Sequence, residues 1–254
     1  MRMLAVAALA LWTSAAAAEE PVRLRLQYDA YLGGIRVLSI ASLARFDGAA
    51  YDLEVASRTV GIVGWVGDWK GNSLTRGRIE GAALRPTSHH AESVWRGEPR
   101  LVDLAYGADR GVAATIEPPP ESDDREPVPA ALTRGTVDTL TVIMSLVRGF
   151  SRGGGCAGSF PAFDGRRRFD VAIAEAGEAT LEASSYNIYG GTARRCRVTT
   201  RRIAGYWKGR GSDAEEQTGY VWMASPLPGR PAVPVRAEAE TGLGTLVLNL
   251  RRAE

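Results

Sequence analysis

Residues 22–29 read VRLRLQYD, and their strict alternation decides the fold class. Val22, Leu24, Leu26 and Tyr28 fall on one face and Arg23, Arg25, Gln27 and Asp29 on the other. That two-residue period belongs to a strand with one buried face. Gly33-Gly34 permits a turn, a second strand runs from Ile35 to Phe46, and Asp47-Gly48 is a hairpin signal ahead of Tyr51 to Thr59. The pattern continues through Ser73 to Ile79, Leu84 to Trp95, Pro99 to Tyr106 and Val112 to Ile116. It resumes at Arg167 to Ala174, Ala179 to Tyr186, Ala193 to Ile203, Thr218 to Met223, Val233 to Glu240 and Thr245 to Leu250. Short strands at this spacing predict a mainly β protein, an antiparallel meander forming an open or closed barrel.

One helix interrupts the strands. Leu140, Ile143, Met144 and Val147 recur at helical spacing between Val137 and Phe150, with Thr136 as the expected N-cap and Asp138 complementing the helix N-terminus. Its apolar stripe packs against the sheet, either as a plug in one end of the barrel or as a lid over a ligand cavity. Before it, residues 117–129 read EPPPESDDREPVP, a Pro-rich surface loop expected to be mobile.

The opening of the chain reads as an export signal. A positive start at Arg2, an apolar run from Leu4 to Trp12 and small residues ending in Ala-x-Ala place a cleavable signal peptide at 1–18. Residues 19–254 then form a single β-rich domain of a periplasmic protein. Lys plus Arg (31) nearly balances Asp plus Glu (29), and the arginines are spread through the strands, which disfavours nucleic-acid binding. Later apolar stretches are too short for a membrane helix. Arginines on both faces of the Ala193 strand also argue against an outer-membrane barrel.

Chemistry is sparse. In an oxidising compartment Cys156 and Cys196 are most simply one disulfide, clamping the end of the helix to the Ala193 strand, in preference to two free thiols. His89 and His90 are adjacent on a strand and point to opposite faces, so they do not share a metal. No nucleophile elbow or phosphate loop is present. Asp164 and Asp170 are the carboxylates a hydrolase would need, although Asp164-Gly165 reads more simply as a turn. The segment 61–71, GIVGWVGDWKG, sets Trp65 and Trp69 among glycines, as at the mouth of an apolar cavity. Trp65 and Trp69, with Leu140 and Met144 on the helix, are the candidate ligand-contacting residues. The alternative is that both tryptophans complete the core.

The order of these features resembles a known family. Tyr28-x-x-Tyr31-x-Gly33-Gly34, Trp69-x-Gly71, Gly81-x-x-Leu84-x-Pro86 and Val137-Asp138-Thr139-Leu140 precede Cys156, Asp164-Gly165-Arg166, Cys196, Trp222 and Pro234-Val235-Arg236. Together they look like the bacterial exported family known as domain of unknown function 3108. The resemblance implies a periplasmic, β-rich protein with no assigned enzyme activity and no functional residues to carry over. More loosely, the architecture is similar to the open barrels of periplasmic lipoprotein carriers, which hold acyl chains. The expected function is therefore non-enzymatic binding of an apolar or amphipathic, lipid-like envelope ligand, with no cofactor or metal implied. A structural or interaction protein of the envelope is the alternative, and a carboxylate-dependent hydrolase a third reading.

Overall fold

The computed structural model describes residues 21–61, 67–207 and 216–254. The expected signal peptide and Trp65 lie outside them. Seven strands come first: β1 (Val22–Leu32), β2 (Ile35–Asp47), β3 (Ala50–Thr59), β4 (Trp69–Glu80), β5 (Ala83–Trp95), β6 (Glu98–Tyr106) and β7 (Val112–Glu117). A 3-10 turn (Pro120–Asp123) and helices α1 (Ala130–Thr133) and α2 (Thr139–Ser151) lead to β8 (Gly158–Phe163). β9 (Arg168–Leu181), β10 (Gly191–Ala204), β11 (Glu216–Ala224), β12 (Val233–Thr241) and β13 (Gly244–Ala253) follow.

All thirteen described strands join one antiparallel sheet in the order β7-β6-β5-β4-β3-β2-β1-β13-β12-β11-β10-β9-β8. The sheet is open, with β7 and β8 as its edges, and short contacts span the gap between them. Val137 lies beside β8, donating to the Pro161 carbonyl (2.9 Å) and accepting from the Phe163 amide (2.9 Å). Arg166, in the β8–β9 turn, donates to the Glu117 and Pro118 carbonyls at the end of β7 (3.1 and 2.7 Å). Gly165 brings that turn onto β6: a Cβ there would stand 2.3 Å from the Val102 side chain.

Helix α2 packs against one face of this sheet. Leu24, Leu26 and Tyr28 of β1, Tyr51 and Leu53 of β3 and Leu84 of β5 share one core with Val142, Met144, Leu146 and Val147. The disulfide ties Cys156, just after α2, to Cys196 on β10. Both cysteines are buried.

Four local expectations need correction. Asp138, not Thr136, is the N-cap of α2: its side chain accepts from the Thr141 amide, while the Thr136 hydroxyl turns back to the Thr133 carbonyl. Ile143 is 40 % exposed, so the buried face of α2 is displaced from the expected stripe toward Val142 and Leu146. The strands expected at Arg167 to Ala174 and Ala179 to Tyr186 are one strand, β9; Gly177 adopts φ +88 at a register shift within it. A bulge absorbs what local sequence reads as a break. The Pro-rich loop, expected to be mobile, is tied down: Arg125 donates to the Gly205 carbonyl (3.1 Å) and stacks on Trp207 (3.9 Å).

A buried polar anchor and an outward groove

The face of the sheet that covers α2 carries a polar knot at the start of the helix. Thr75 (β4), His89 (β5), Asp138 and Thr141 are all buried. Thr75 and His89 are cross-strand partners in register, which sets both side chains on this face. The Thr75 hydroxyl donates to Asp138 Oδ1 (2.7 Å) and the Thr141 hydroxyl to Oδ2 (2.6 Å). Each threonine has a single proton, so its oxygen must accept from the next partner. His89 Nδ1 therefore donates to Thr75 (2.7 Å), and the Tyr51 hydroxyl donates to Thr141 (2.8 Å). This directed chain fixes the His89 tautomer with its proton on Nδ1.

Burial, the largest influence, holds His89 below the usual histidine range against the opposing pull of Asp138. Burial likewise pushes Tyr51 and Tyr106 up. The imidazole is thus neutral near pH 7 and the tyrosines protonated. The knot joins β3, β4 and β5 to the helix N-terminus and acts as an anchor for α2. His90, one residue on, faces the other way and meets Asp103 at 2.6 Å.

Of the expected ligand residues that the structure describes, Trp69 stands apart from Leu140 and Met144. Met144 is 1 % exposed inside the core, and Leu140, half-buried on the same helix, packs against that core. Trp69 opens β4, six residues from Thr75 where α2 begins, or roughly 20 Å along a strand. It lies over Gly71, where an added Cβ would stand 3.0 Å from its ring. Asp164 accepts from the Arg166 and Arg167 amides (3.0 and 2.7 Å), forming the expected turn. Asp170 is desolvated by burial, yet hydrogen bonds from Arg201 and Arg168 outweigh this and hold it below the usual carboxylate range. A glycosidase acid needs the opposite shift.

Two concave features lie on the face turned away from the core. A groove of about 1000 Å³ crosses the sheet from β13 to β7, and a second of about 690 Å³ runs beside it. They share a floor of Gln27, Ala41, Ala56 and Asn72, consecutive partners in register across β1 to β4. Small side chains in that row leave a trough between taller neighbours. Leu43 and Leu74 flank it on the side of the smaller groove; Asp29, Ser39, Arg58 and Lys70 flank it on the other. The larger groove is basic: Arg36, Arg58, Lys70, Arg100, Arg251 and Arg252 line it against Asp29, Glu92 and Glu117. Asp29 is 6 % exposed although outward-facing, because Arg36 (2.7 Å) and Arg251 (3.3 Å) enclose it.

The family described as protein of unknown function (DUF3108) matches residues 27–251, nearly the whole chain. The chain belongs to DUF3108. This DUF3108 member resembles in fold a β-barrel-like protein of the domain of unknown function DUF1849 from Brucella abortus. The TM-score is 0.50 at 11% sequence identity, covering 92% of this chain and 97% of the other. A protein from Parabacteroides distasonis with only a provisional lipoprotein designation aligns at a TM-score of 0.34 and 9% identity, over 91% and 94% of the two chains. None of the curated proteins matches this DUF3108 chain in sequence.

The sequence did not foretell the anchor or the groove. Asp138 stood out only as a charge complementing the helix N-terminus. Ala41 and Ala56 are two small residues on outward positions, and only strand register sets them side by side.

Proposed function

We propose that this protein is exported to the periplasm and, without catalysing a reaction, holds an amphipathic envelope ligand in the groove on the outer face of its sheet. The observation that carries this reading is the adjoining grooves: a trough of about 1000 Å³ with a basic row along one side, sharing Ala41 and Ala56 with a smaller groove that Leu43 and Leu74 flank. An acyl or other apolar moiety fits over Ala41, Ala56, Leu43 and Leu74, with an anionic head toward Arg58 and Lys70. Residues 1–18 supply the support for export, reading as a positive start, a short apolar run and an Ala-x-Ala site. This moves the expected ligand from the helix side to the opposite face, because Met144 is committed to the core.

Native mass spectrometry of protein released from the periplasm of its own host tests the reading. The expected result is a mature chain beginning at Glu19 that carries a co-purifying amphiphile. A chain retained in the cytoplasm, or one that is unliganded and binds no amphiphile, overturns it.

A further inference from the structure

Arg58 and Lys70 are direct cross-strand partners on β3 and β4, both exposed and both lining the larger groove. Like charges placed opposite one another in a sheet destabilise it. Here no described residue relieves them, since neither side chain has an ion pair or hydrogen bond among the described residues. None of the groove's own carboxylates forms an ion pair with either cation, although Glu92 stands diagonal to Lys70. Asp29 is held by Arg36 and Arg251, Glu92 accepts from Asn72 (3.2 Å), and Glu117 stands opposite Leu101 at the far end. Residues 62–66, which follow β3, read IVGWV and contain no acid. The two cations therefore form a directly opposed pair, with no ion-pair partner among the described residues, in the wall of a concave site.

We propose that Arg58 and Lys70 bind a phosphate monoester, the head group of the groove's ligand; this rests on the reading of the groove as an amphiphile site. A monoester carries close to two negative charges and three acceptor oxygens near neutral pH. A guanidinium grips two of those oxygens as a planar fork and an ammonium meets the third as a point charge. A single carboxylate would leave one of the two cations uncompensated. Ser39, the register partner of Arg58 on β2, adds a hydroxyl to the same row. The adjoining floor of Ala41 and Ala56 gives an attached apolar chain a direction to run.

The test measures binding of the purified protein to phosphatidylcholine vesicles containing phosphatidate, to the same vesicles containing oleate, and to inorganic phosphate. The variants are Arg58→Gln, Lys70→Gln and the double, with Arg230→Gln, an exposed site outside both grooves, as charge control. Unchanged thermal unfolding confirms that each variant is folded. The proposal expects phosphatidate vesicles preferred over oleate vesicles, with affinity falling about tenfold in each single variant and further in the double, and unchanged in Arg230→Gln. Inorganic phosphate should bind more weakly and show the same dependence. If only inorganic phosphate binds, with that dependence, the phosphate site stands and the amphiphile reading falls. Equal binding of phosphatidate and oleate vesicles, indifferent to both substitutions, overturns the head-group assignment and leaves the amphiphile reading intact. Absence of all binding overturns both.

Discussion

Thr75 and Asp138 lie 63 positions apart, yet the threonine hydroxyl donates to the aspartate at 2.7 Å inside the fold. The same carboxylate oxygen accepts from the Thr141 amide, so one atom caps α2 and ties its start to β4. A local helix signal and a long-range packing contact thus converge on a single side chain.

Removing that side chain should cost more than a surface cap. Asp138→Ala strips the cap and leaves the Thr75 and Thr141 hydroxyls without their acceptor, at an expected cost of about 3 kcal/mol. Asp138→Asn keeps one acceptor oxygen and should fall between the variant and the native protein. Urea unfolding would measure both, and an alanine variant as stable as the native protein would contradict the anchor role.

His89 should make stability depend on pH. Its folded pKa lies below the unfolded value of about 6.5. The unfolded chain therefore takes up a proton first as the pH drops, and stability declines from near pH 6.5 down through the folded pKa. In His89→Gln that component is absent. Thermal unfolding between pH 7.5 and 5, as an approximate working range, should give a shallower slope for the variant than for the native protein; identical slopes would show that His89 does not titrate on unfolding.

Gly77 is required for lack of space. A Cβ there would stand 2.4 Å from both the Arg85 carbonyl and the Tyr51 ring. Gly77→Ala should destabilise by about 1–3 kcal/mol through overpacking. Gly149→Ala on α2, where the Gly155 carbonyl beyond the helix would stand 4.0 Å from the added Cβ, should instead be neutral or stabilise by up to ~1 kcal/mol. Paired denaturant curves check the contrast.

Reducing the Cys156–Cys196 bond, which spans 40 positions, should lower stability by about 4 kcal/mol in the chain-entropy account. The double serine variant should show the same loss without reductant. A reductant effect that persists in the serine variant would point to some other cause.

Much of the sheet was readable because alternation is a local property: VRLRLQYD announces its buried face without reference to any other strand. β8 was missed because Pro161 breaks the pattern in GSFPAF, and an edge strand tolerates the missing donor. Gly177 read as an end because a positive φ marks a turn as often as a bulge. The helix was visible, but its buried face depends on Tyr51, Leu84 and the disulfide, all distant in sequence. The groove was the least legible feature. Arg58 and Lys70 look like ordinary solvated residues until register sets them opposite each other.

The seam between β1 and β13 separates two runs of sequential hairpins, β1 to β7 and β8 to β13. Arg25 and the Glu254 backbone exchange hydrogen bonds of 2.9 Å at its end. One edge of β1 must therefore wait, unpaired, for β13, the described strand most distant from it in sequence. Each run can zip by neighbour-to-neighbour pairing, while the seam requires closure of nearly the full chain and should govern the folding rate. A polypeptide interrupted before β13 would expose two unfinished edges in the middle of the sheet, leaving an incomplete product sticky and easily degraded.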